Sequence, residues 1–546
     1  MAERFDYVIV GGGTAAGIVA YRLGEAGHSV CVLEAGPSDR HPYIHIPAGF
    51  SKTLFHPTLT WQFKTDPDPA TGNRSAPYSQ GRTLGGSSSI NGMIYNRGQP
   101  QDFDSWAQMG NRGWSFDEVL PYFRKTEHRI APTVAPDPQY RGSGGRLTVT
   151  NAPWPNELET AFIESAVNAG HLRNDDYNGA TQEGVGQYQS AIRNGRRVST
   201  ATAFLHPASR QFDVKIMTGA TVNRIVVENG RATGVRYRRG ETEYAVQAGR
   251  EVILCAGAVN SPRLLQSSGI GPGKVLQEAG VPVSHELPGV GENFRDHYSP
   301  RIVARAKKGV NSINLHVTGV PLLKQLALWL LGRPSVLATS PARIHLFGKS
   351  DPAMSHPDYA MMFAPASFKA GLVGVLDDFP GMTCGVWQQR PESTGYVRIT
   401  GPSFDSVPRV NPRWLSAQRD QQVVLAALRA ARNIYATDPL ASLIDDEIFP
   451  GRGCETDEEL LQFAREKGAT SYHLVGTCKM GPKGDTMAVV DPELRVHGLE
   501  ALRVIDSSIM PTIVSANTAA TTMMIAEKGS DLILERNTTG PHGAAP

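Results

Sequence analysis

The chain has 546 residues, of which 40% are hydrophobic and 19% are charged, and its formal net charge at pH 7 is +2. Because a single hydrophobic core stops growing at roughly 250–300 residues, we expect two large domains. The balanced charge argues against a nucleic-acid partner, since nucleic-acid-binding proteins carry a clustered basic excess. Five scattered cysteines without a CxxC pair argue against a disulfide framework or a metal site and favour a cytoplasmic setting.

The first elements of the chain form a nucleotide-binding pattern. Residues 5–10 are a nearly continuous apolar run, which predicts a strand of a parallel sheet, and a glycine-rich turn and a helical pattern follow. Gly11 permits the tight turn, and Gly13 lets the backbone approach a pyrophosphate. Thr14 and Ala15 begin the helix, whose free N–H groups and positive dipole end attract phosphate.

A second strand pattern completes the nucleotide-binding unit. It covers residues 29–33 and ends in Glu34, about 20 residues downstream of the turn, where a carboxylate accepts hydrogen bonds from an adenosine ribose. Glu34 disfavours NADP, because the 2′-phosphate of that cofactor would face a carboxylate. The pattern predicts a dinucleotide site and leaves FAD and NAD as alternatives.

Further motifs follow in order along the chain. They are Gly81-Arg-Thr-Leu-Gly-Gly-Ser-Ser-Ser-Ile-Asn-Gly92 and the segments 257–271, 287–297, 471–481, 504–511 and 516–518. Together they resemble the glucose-methanol-choline (GMC) oxidoreductase family from end to end. The segments 177–186, 193–197 and 496–498 resemble its branch of bacterial alcohol and sorbose dehydrogenases.

The resemblance implies an α/β fold in two parts. A discontinuous, Rossmann-like FAD-binding domain is expected over residues 1–155, 214–300 and 470–546. An α+β substrate-binding domain with an antiparallel sheet is expected over residues 156–213 and 301–469. The patterns at 359–363 and 382–387 are typical of strands of that sheet.

The resemblance also implies which residues contact FAD. Beyond the first turn and Glu34, they are Gly86, Ser87, Asn91, Gly92, Val222, Ala256, Asp506 and Thr518. Some family members attach FAD covalently through a histidine in the first signature, where this chain has Ile90. Since that side chain has no nucleophilic atom, noncovalent FAD is expected.

Alcohol oxidation by hydride transfer requires a base for the hydroxyl proton. The resemblance assigns this role to His473, which is followed by Leu474 in place of the usual proline. Asn517 matches the second catalytic position, where an amide can hold the alcohol oxygen but cannot act as a base. Tyr472 and Trp387 are candidates for the substrate wall. His297 and Cys478 are interpreted as structural.

The expected activity is oxidation of a primary or secondary alcohol, with FAD accepting the hydride. The electron acceptor stays open between a quinone or cytochrome, as in a dehydrogenase, and dioxygen, as in an oxidase of aromatic, furfuryl or pyridoxine-type alcohols. A flavoenzyme with other chemistry and a flavin-binding module without activity are the weaker alternatives.

An apolar segment, 320–332, contains a single lysine and is shorter than the about 20 residues that span a bilayer. One interpretation is a helix packed in the substrate domain or at the substrate entrance. The other is an interfacial helix that contacts a membrane or a partner.

Overall fold

The computed structural model describes residues 3–131, 135–151, 154–369 and 374–538. The α-helices are α1 (Thr14–Glu25), α2 (Pro42–His45), α3 (Phe50–Thr53), α4 (Pro100–Gln108), α5 (Phe116–Thr126), α6 (Glu157–Asn168), α7 (His206–Gln211), α8 (Gly257–Ser267), α9 (Gly273–Glu278), α10 (Gly319–Leu330), α11 (Gln418–Tyr435), α12 (Leu440–Leu443), α13 (Asp457–Lys467) and α14 (Thr518–Thr538).

The strands are β1 (Glu3–Val10), β2 (Val30–Glu34), β3 (Thr60–Lys64), β4 (Pro77–Gly81), β5 (Glu127–Arg129), β6 (Leu147–Asn151), β7 (Gly184–Gln187), β8 (Gln189–Ser190), β9 (Ile192–Arg193), β10 (Arg196–Arg197), β11 (Val214–Thr218), β12 (Thr221–Glu228), β13 (Arg231–Arg239), β14 (Thr242–Leu254), β15 (Ile270–Gly271), β16 (His285–Glu286), β17 (Tyr298–Ser299), β18 (Arg301–Ala306), β19 (Ile344–Gly348), β20 (Tyr359–Ala364), β21 (Gly381–Gln388), β22 (Tyr396–Arg398), β23 (Arg409–Asn411), β24 (Ile444–Phe449), β25 (Ala469–Thr470) and β26 (Leu502–Val504).

The first sheet has the strand order β11-β2-β1-β14-β13-β12, with β26 beside β14. The strands β11, β2, β1, β14 and β26 run parallel, whereas β12, β13 and β14 form an antiparallel meander. Val10 pairs with Leu33 on one side and with Leu254 on the other, so the carboxyl ends of three strands meet at one edge. Ligands of open α/β sheets bind at this edge.

The second sheet is antiparallel, with the order β24-β18-β21-β20-β19-β7. The strands expected at 359–363 and 382–387 are β20 and β21, which pair with each other. Phe363 is fully buried and its ring stacks on Phe162 at 4.3 Å, so it is a core residue and not part of a pocket wall. The two sheets with their helices confirm the expected mixed α/β class.

Each sheet has a hydrophobic core of its own. The first core gathers residues from both ends of the chain, among them Ile9, Phe204 and Met524. The second core contains Tyr78 and Met361. The limits predicted for the two domains stay a prediction.

The first helix and the last helix pack against each other in the first core. Arg22 of α1 forms ion pairs with Glu527 at 2.7 Å and with Asp531 at 2.6 Å, both on α14. Burial strengthens these pairs, because a partly buried guanidinium is screened less by water. The last helix therefore packs directly against α1, the helix that follows the glycine-rich turn.

The apolar segment 320–332 forms α10 and the turn after it. Trp329 packs inward and its Nε1 donates to the carbonyl oxygen of Gly195 at 2.7 Å. The other side of the helix is open: Val320 is 78% exposed, Leu323 65% and Leu330 68%. The helix thus packs against the protein along one side only. No helix in the described ranges is long and apolar enough to span a bilayer.

Candidate active site

A cavity of about 270 Å³ lies where the carboxyl edge of the first sheet faces the second sheet. Of the predicted cofactor residues, its wall contains Gly13, Thr14, Ala15, Gly86, Ser87, Asn91, Gly92, Ala256, Asp506 and Thr518. The same wall contains His473, Asn517, Tyr472 and Trp387. Gly11, Glu34 and Val222 lie outside this wall. The predicted residues therefore converge from distant parts of the chain, while their roles stay predictions.

Two glycine-rich loops touch each other at the cavity wall. The amide of Gly85 donates to the carbonyl oxygen of Gly12 at 2.7 Å. Gly86 has a φ of +52°, and a Cβ there would lie 2.7 Å from Cα of Gly13. A side chain at Gly86 would therefore fill the space beside Gly13 and strain the backbone. The approach leaves a backbone-lined groove of the kind that accepts a pyrophosphate.

Glu34 lies beneath this groove. Its Oε2 accepts from the amide of Gly12 at 2.7 Å and its Oε1 from the amide of Gly36 at 2.8 Å. Burial raises the pKa of Glu34 to about 7, although these two bonds oppose the rise. The amide of Ala220 donates to the Glu34 carbonyl oxygen at 2.8 Å, which brings the strand of Val222 to the same place. Each carboxylate oxygen keeps a lone pair for a ribose hydroxyl.

Asp506 is fixed by four hydrogen bonds in the wall of the cavity. Its Oδ2 accepts from the Gly257 amide at 2.8 Å and from Ser261 Oγ at 2.6 Å. Its Oδ1 accepts from the amide and the hydroxyl of Ser508, at 2.8 and 2.5 Å. Burial raises the pKa of Asp506. The carboxylate thus joins the start of α8 to the strand β26 at the cavity.

The loop of the first signature is held by an arginine that the sequence did not single out. Arg197 Nη1 donates to Asn91 Oδ1 at 2.8 Å, and its Nε donates to the carbonyl oxygen of Ile44 at 2.8 Å. Burial lowers the pKa of Arg197 to about 9. Ile90 lies in the same loop and faces the cavity. Arg197 belongs to the matched segment 193–197, but the sequence did not indicate its contact with Asn91.

His473 lies in a chain of hydrogen bonds that determines which ring nitrogen carries its proton. His297 Nε2 lies 2.8 Å from the carbonyl oxygen of Gln389, so Nε2 is the donor and Nδ1 is the acceptor of a neutral ring. His473 Nδ1, at 2.9 Å from His297 Nδ1, must then carry the proton. His473 Nε2 is left as the basic nitrogen, and Asn517 Nδ2 lies 2.8 Å from it.

Both imidazole rings are neutral at pH 7. Burial lowers the pKa of His473 well below its usual value, and the neighbouring His297 lowers it further. Burial also lowers the pKa of His297 to about 4. A neutral His473 agrees with the single proton that the hydrogen bonds place on its ring.

Asp296 fixes the main chain beside His473. Its Oδ1 accepts from the His473 amide at 2.7 Å, and its Oδ2 accepts from Thr470 Oγ1 at 2.6 Å. Burial raises the pKa of Asp296 to about 6. Where Leu474 replaces the usual proline, Asp296 thus holds the main chain at His473 and His297 holds its ring.

The sequence placed Asp296 and His297 in a matched motif but gave neither a part in the site. That adjacent acid–histidine pair was the signal that could have found them, because one side chain binds the backbone and the other the ring of His473. Cys478 is fully buried and burial raises the pKa of its thiol, in agreement with packing. Trp387 lies in the wall, and its ring centre is 6.2 Å from that of His473.

Comparison with known proteins identifies the family. The models of the GMC oxidoreductases match residues 5–299 and 391–526. The chain is 38% identical over 533 residues to the oxygen-dependent choline dehydrogenase of Rhizobium etli, covering 97% of this chain and 95% of the relative. It is 40% identical over 547 residues to that of Cronobacter sakazakii, covering 98% and 95%. The chain belongs to the GMC oxidoreductase family.

Solved structures agree with this family. The crystal structure of pyridoxine 4-oxidase from Mesorbium loti is 31% identical to this GMC oxidoreductase, with a TM-score of 0.87 and with 97% of this chain and 99% of that chain covered. A formate oxidase structure, 23% identical with a TM-score of 0.91 over 98% and 99%, shares the fold. The protein is a flavoprotein with FAD as its cofactor, and it is an oxidoreductase.

Proposed function

We propose that the protein oxidises a primary or secondary alcohol to the carbonyl compound, with His473 as the base. The observation that carries this proposal is the proton arrangement of the two histidines, which leaves Nε2 of His473 unprotonated. This nitrogen belongs to a residue of the cavity wall, where it can accept the hydroxyl proton of an alcohol. Its lowered pKa keeps it in the accepting form at neutral pH.

Asn517 supports the alcohol oxygen in this proposal. Its Nδ2 lies 2.8 Å from His473 Nε2, so its amide and the imidazole reach the same point of the cavity. Its Oδ1 is buried and has no hydrogen-bond partner within the part of the chain that the structure describes. An amide donor beside an oxygen that gains negative charge stabilises the transition state.

The residues of the groove fit FAD. The glycine contact between Gly13 and Gly86 leaves backbone-lined space that a Cβ would fill, and Glu34 has lone pairs for ribose hydroxyls. When bound, FAD supplies the acceptor for the hydride of the alcohol carbon. We propose that the groove residues and Asp506 hold the cofactor without a covalent bond, since Ile90 has no atom for attachment.

For the electron acceptor we propose a quinone or a cytochrome, as in a dehydrogenase. This choice is supported by the resemblance of segments such as 177–186 to bacterial alcohol dehydrogenases. Dioxygen is the second candidate, supported by the similarity to pyridoxine 4-oxidase. Turnover with an artificial acceptor, measured beside hydrogen peroxide formation in air, separates the two. Peroxide formed at the full turnover rate would establish the oxidase.

The proposed activity is tested by mixing the holoenzyme with a panel of alcohols without oxygen and following the bleaching of the flavin absorbance. Reduction by at least one alcohol, with the carbonyl product recovered, is expected. Asn517→Ala should slow reduction by less than His473→Ala, because the amide loses one hydrogen bond of a few kcal/mol at most. A flavin that no alcohol bleaches would reject the proposal.

We also propose that α10 contacts an anionic lipid surface. Its exposed side carries Val320, Leu323 and Leu330, and basic side chains flank it. Residues 301–350 contain no Asp or Glu in the sequence, whereas Lys307, Lys308, Lys324 and Arg333 are exposed there. An exposed apolar helix with basic neighbours is typical of interfacial binding to anionic lipids.

Sedimentation with vesicles tests this contact. The protein should sediment with vesicles of phosphatidylcholine and phosphatidylglycerol and should bind less to phosphatidylcholine alone. Leu330→Glu should abolish sedimentation, whereas Val407→Glu, at a side chain that is 77% exposed elsewhere, should not. Failure to sediment would reject the lipid contact, and a dimer in solution that Leu330→Glu dissociates would show that a second copy covers α10.

A further inference from the structure

Arg301 is an unpaired cation in the wall of the substrate cavity. It is the first residue of β18, and it lines the cavity together with His473. Burial lowers the pKa of its guanidinium. Among the described residues, none accepts a hydrogen bond from this side chain or forms an ion pair with it. Arg301 is half-buried, and a charge withdrawn from bulk water without a partner is costly unless a ligand supplies the partner.

Buried arginines elsewhere in the described protein have hydrogen-bond partners, as Arg197 has in Asn91 Oδ1 and the Ile44 carbonyl oxygen. Arg141 pairs with Glu127, and Arg343 Nε lies 2.8 Å from Glu159 Oε1. These guanidinium groups are thus bound by other groups of the protein. Arg301 differs from them because it faces the cavity.

Tyr472 supplies a second donor beside Arg301. Burial raises the pKa of the Tyr472 phenol, and the Arg301 guanidinium opposes this rise, so the two groups interact. The phenol is neutral at pH 7 and its hydroxyl donates to no described residue. Arg301 pairs across the sheet with Gly385.

The cavity wall offers no free anion to a cationic substrate. Among the described wall residues, Asp506 is the only carboxylate, and both of its oxygens are used by Gly257, Ser261 and Ser508. An aromatic wall can attract a quaternary ammonium group, but the positive charge of Arg301 opposes it. The cation of choline, the substrate in the names of the relatives, therefore has no matching partner in this wall.

We propose that Arg301, assisted by the Tyr472 hydroxyl, binds the carboxylate of a hydroxy acid whose alcohol group is oxidised at His473. This inference rests on the proposed alcohol oxidation. One guanidinium balances the single charge of a carboxylate, and its planar fork matches the two oxygens. Leu54, Met362 and Phe368 in the same wall suit an apolar carbon frame between the carboxylate and the hydroxyl.

The test compares matched alcohols on the wild-type holoenzyme without oxygen. The set is 4-(hydroxymethyl)benzoate, its methyl ester, 6-hydroxyhexanoate, 1-hexanol, a hydroxymethylphenyl phosphate and choline. A hydroxy acid should exceed its neutral counterpart about 10- to 100-fold in kcat/KM, the usual gain from a charge-assisted hydrogen bond. A preference for the phosphate would show that Arg301 binds a phosphate group of the substrate and would overturn the assignment of a carboxylate. A preference for choline or equal rates for acid and neutral alcohol would overturn the inference.

Variants locate the anion site. Arg301→Gln should remove the preference for the hydroxy acid mainly through KM, and Arg301→Lys should restore part of it. Arg305→Gln is the matched control, since Arg305 lies on the same strand, is exposed and stacks on Phe379 at 4.7 Å. An unchanged preference in Arg301→Gln would overturn the inference.

Binding of benzoate to the oxidised holoenzyme, followed by the shift of the flavin spectrum, tests Arg301 apart from turnover. Wild type should bind benzoate more tightly than benzyl alcohol, and Arg301→Gln should lose that difference. If no alcohol reduces the flavin but benzoate binding depends on Arg301, the proposed function fails while the anion site stands. If alcohols reduce the flavin and benzoate does not bind, the anion site is rejected while the proposed alcohol oxidation stands.

Discussion

His297 and His473 face each other through their Nδ1 atoms at 2.9 Å, although 176 residues separate them along the chain. Because His297 uses its Nε2 proton on the carbonyl oxygen of Gln389, its Nδ1 can only accept in the neutral ring. His473 is therefore held in the tautomer that directs its basic Nε2 toward Asn517. His297 acts as a positioning residue for the proposed base.

Replacement of His297 by Ala should lower the rate of flavin reduction by about 10²-fold, since misplacing a catalytic group by about 1 Å has this effect. The change should lie in kcat more than in KM, because His297 touches His473 and not the cavity. The acid limb of the pH profile should also move to higher pH, since the neighbour that lowers the pKa of His473 is gone. His356→Ala, in a loop outside the cavity wall, serves as the control. A rate and a profile like those of the wild type would leave His297 without a positioning role.

The rate of flavin reduction should stay high well into the acidic range. Burial holds the pKa of His473 below its usual value of 6.5, so the base is lost only as the pH falls through that lower value. His297, with a pKa of about 4, and Asp296, with a pKa of about 6, face the same ring and loop. In Asp296→Asn this carboxylate no longer titrates, so the fall of the reduction rate at acidic pH reports His473. A midpoint at or above pH 6.5 in both proteins would contradict the buried, neutral base.

Gly86→Ala should lower the FAD content of the purified protein. The added Cβ would lie 2.7 Å from Cα of Gly13, which closes the groove between the two loops. Gly230→Ala is the matched control, because Gly230 also has a positive φ, of +77°, but has nothing within 4 Å. Each change adds about 1 kcal/mol of backbone strain, and only Gly86→Ala should lower the FAD content. Equal FAD content in the two variants would contradict the position of the groove.

Noncovalent attachment predicts that acid precipitation releases the yellow chromophore into the supernatant. The reason is that Ile90, at the position where some relatives carry the attaching histidine, has no nucleophilic atom. The absorbance of the supernatant and of the redissolved pellet is compared after denaturation. Colour that stays with the pellet would show a covalent bond formed at another residue.

The sequence predicted the parts of this structure that are specified locally. The apolar run before Gly11 and the acidic end of the second strand became β1 and Glu34, because strand, turn and helix preferences act over a few residues. The pairing of His297 with His473 and the unpaired state of Arg301 depend on segments that meet only after folding. Within its strand, Arg301 stands before an ordinary apolar pattern, so nothing local marks it as a cavity residue.

The proposed activity depends most on His473 as the base, and rapid-reaction flavin reduction without oxygen, measured against pH, tests this role directly. His473→Ala should lower the limiting reduction rate by roughly 10²–10⁴-fold, the usual contribution of a general base. FAD should remain bound, because the groove residues lie elsewhere, and the acid limb of the wild type should disappear. A His473→Ala protein that retains both its rate and its acid limb would contradict the assignment of His473.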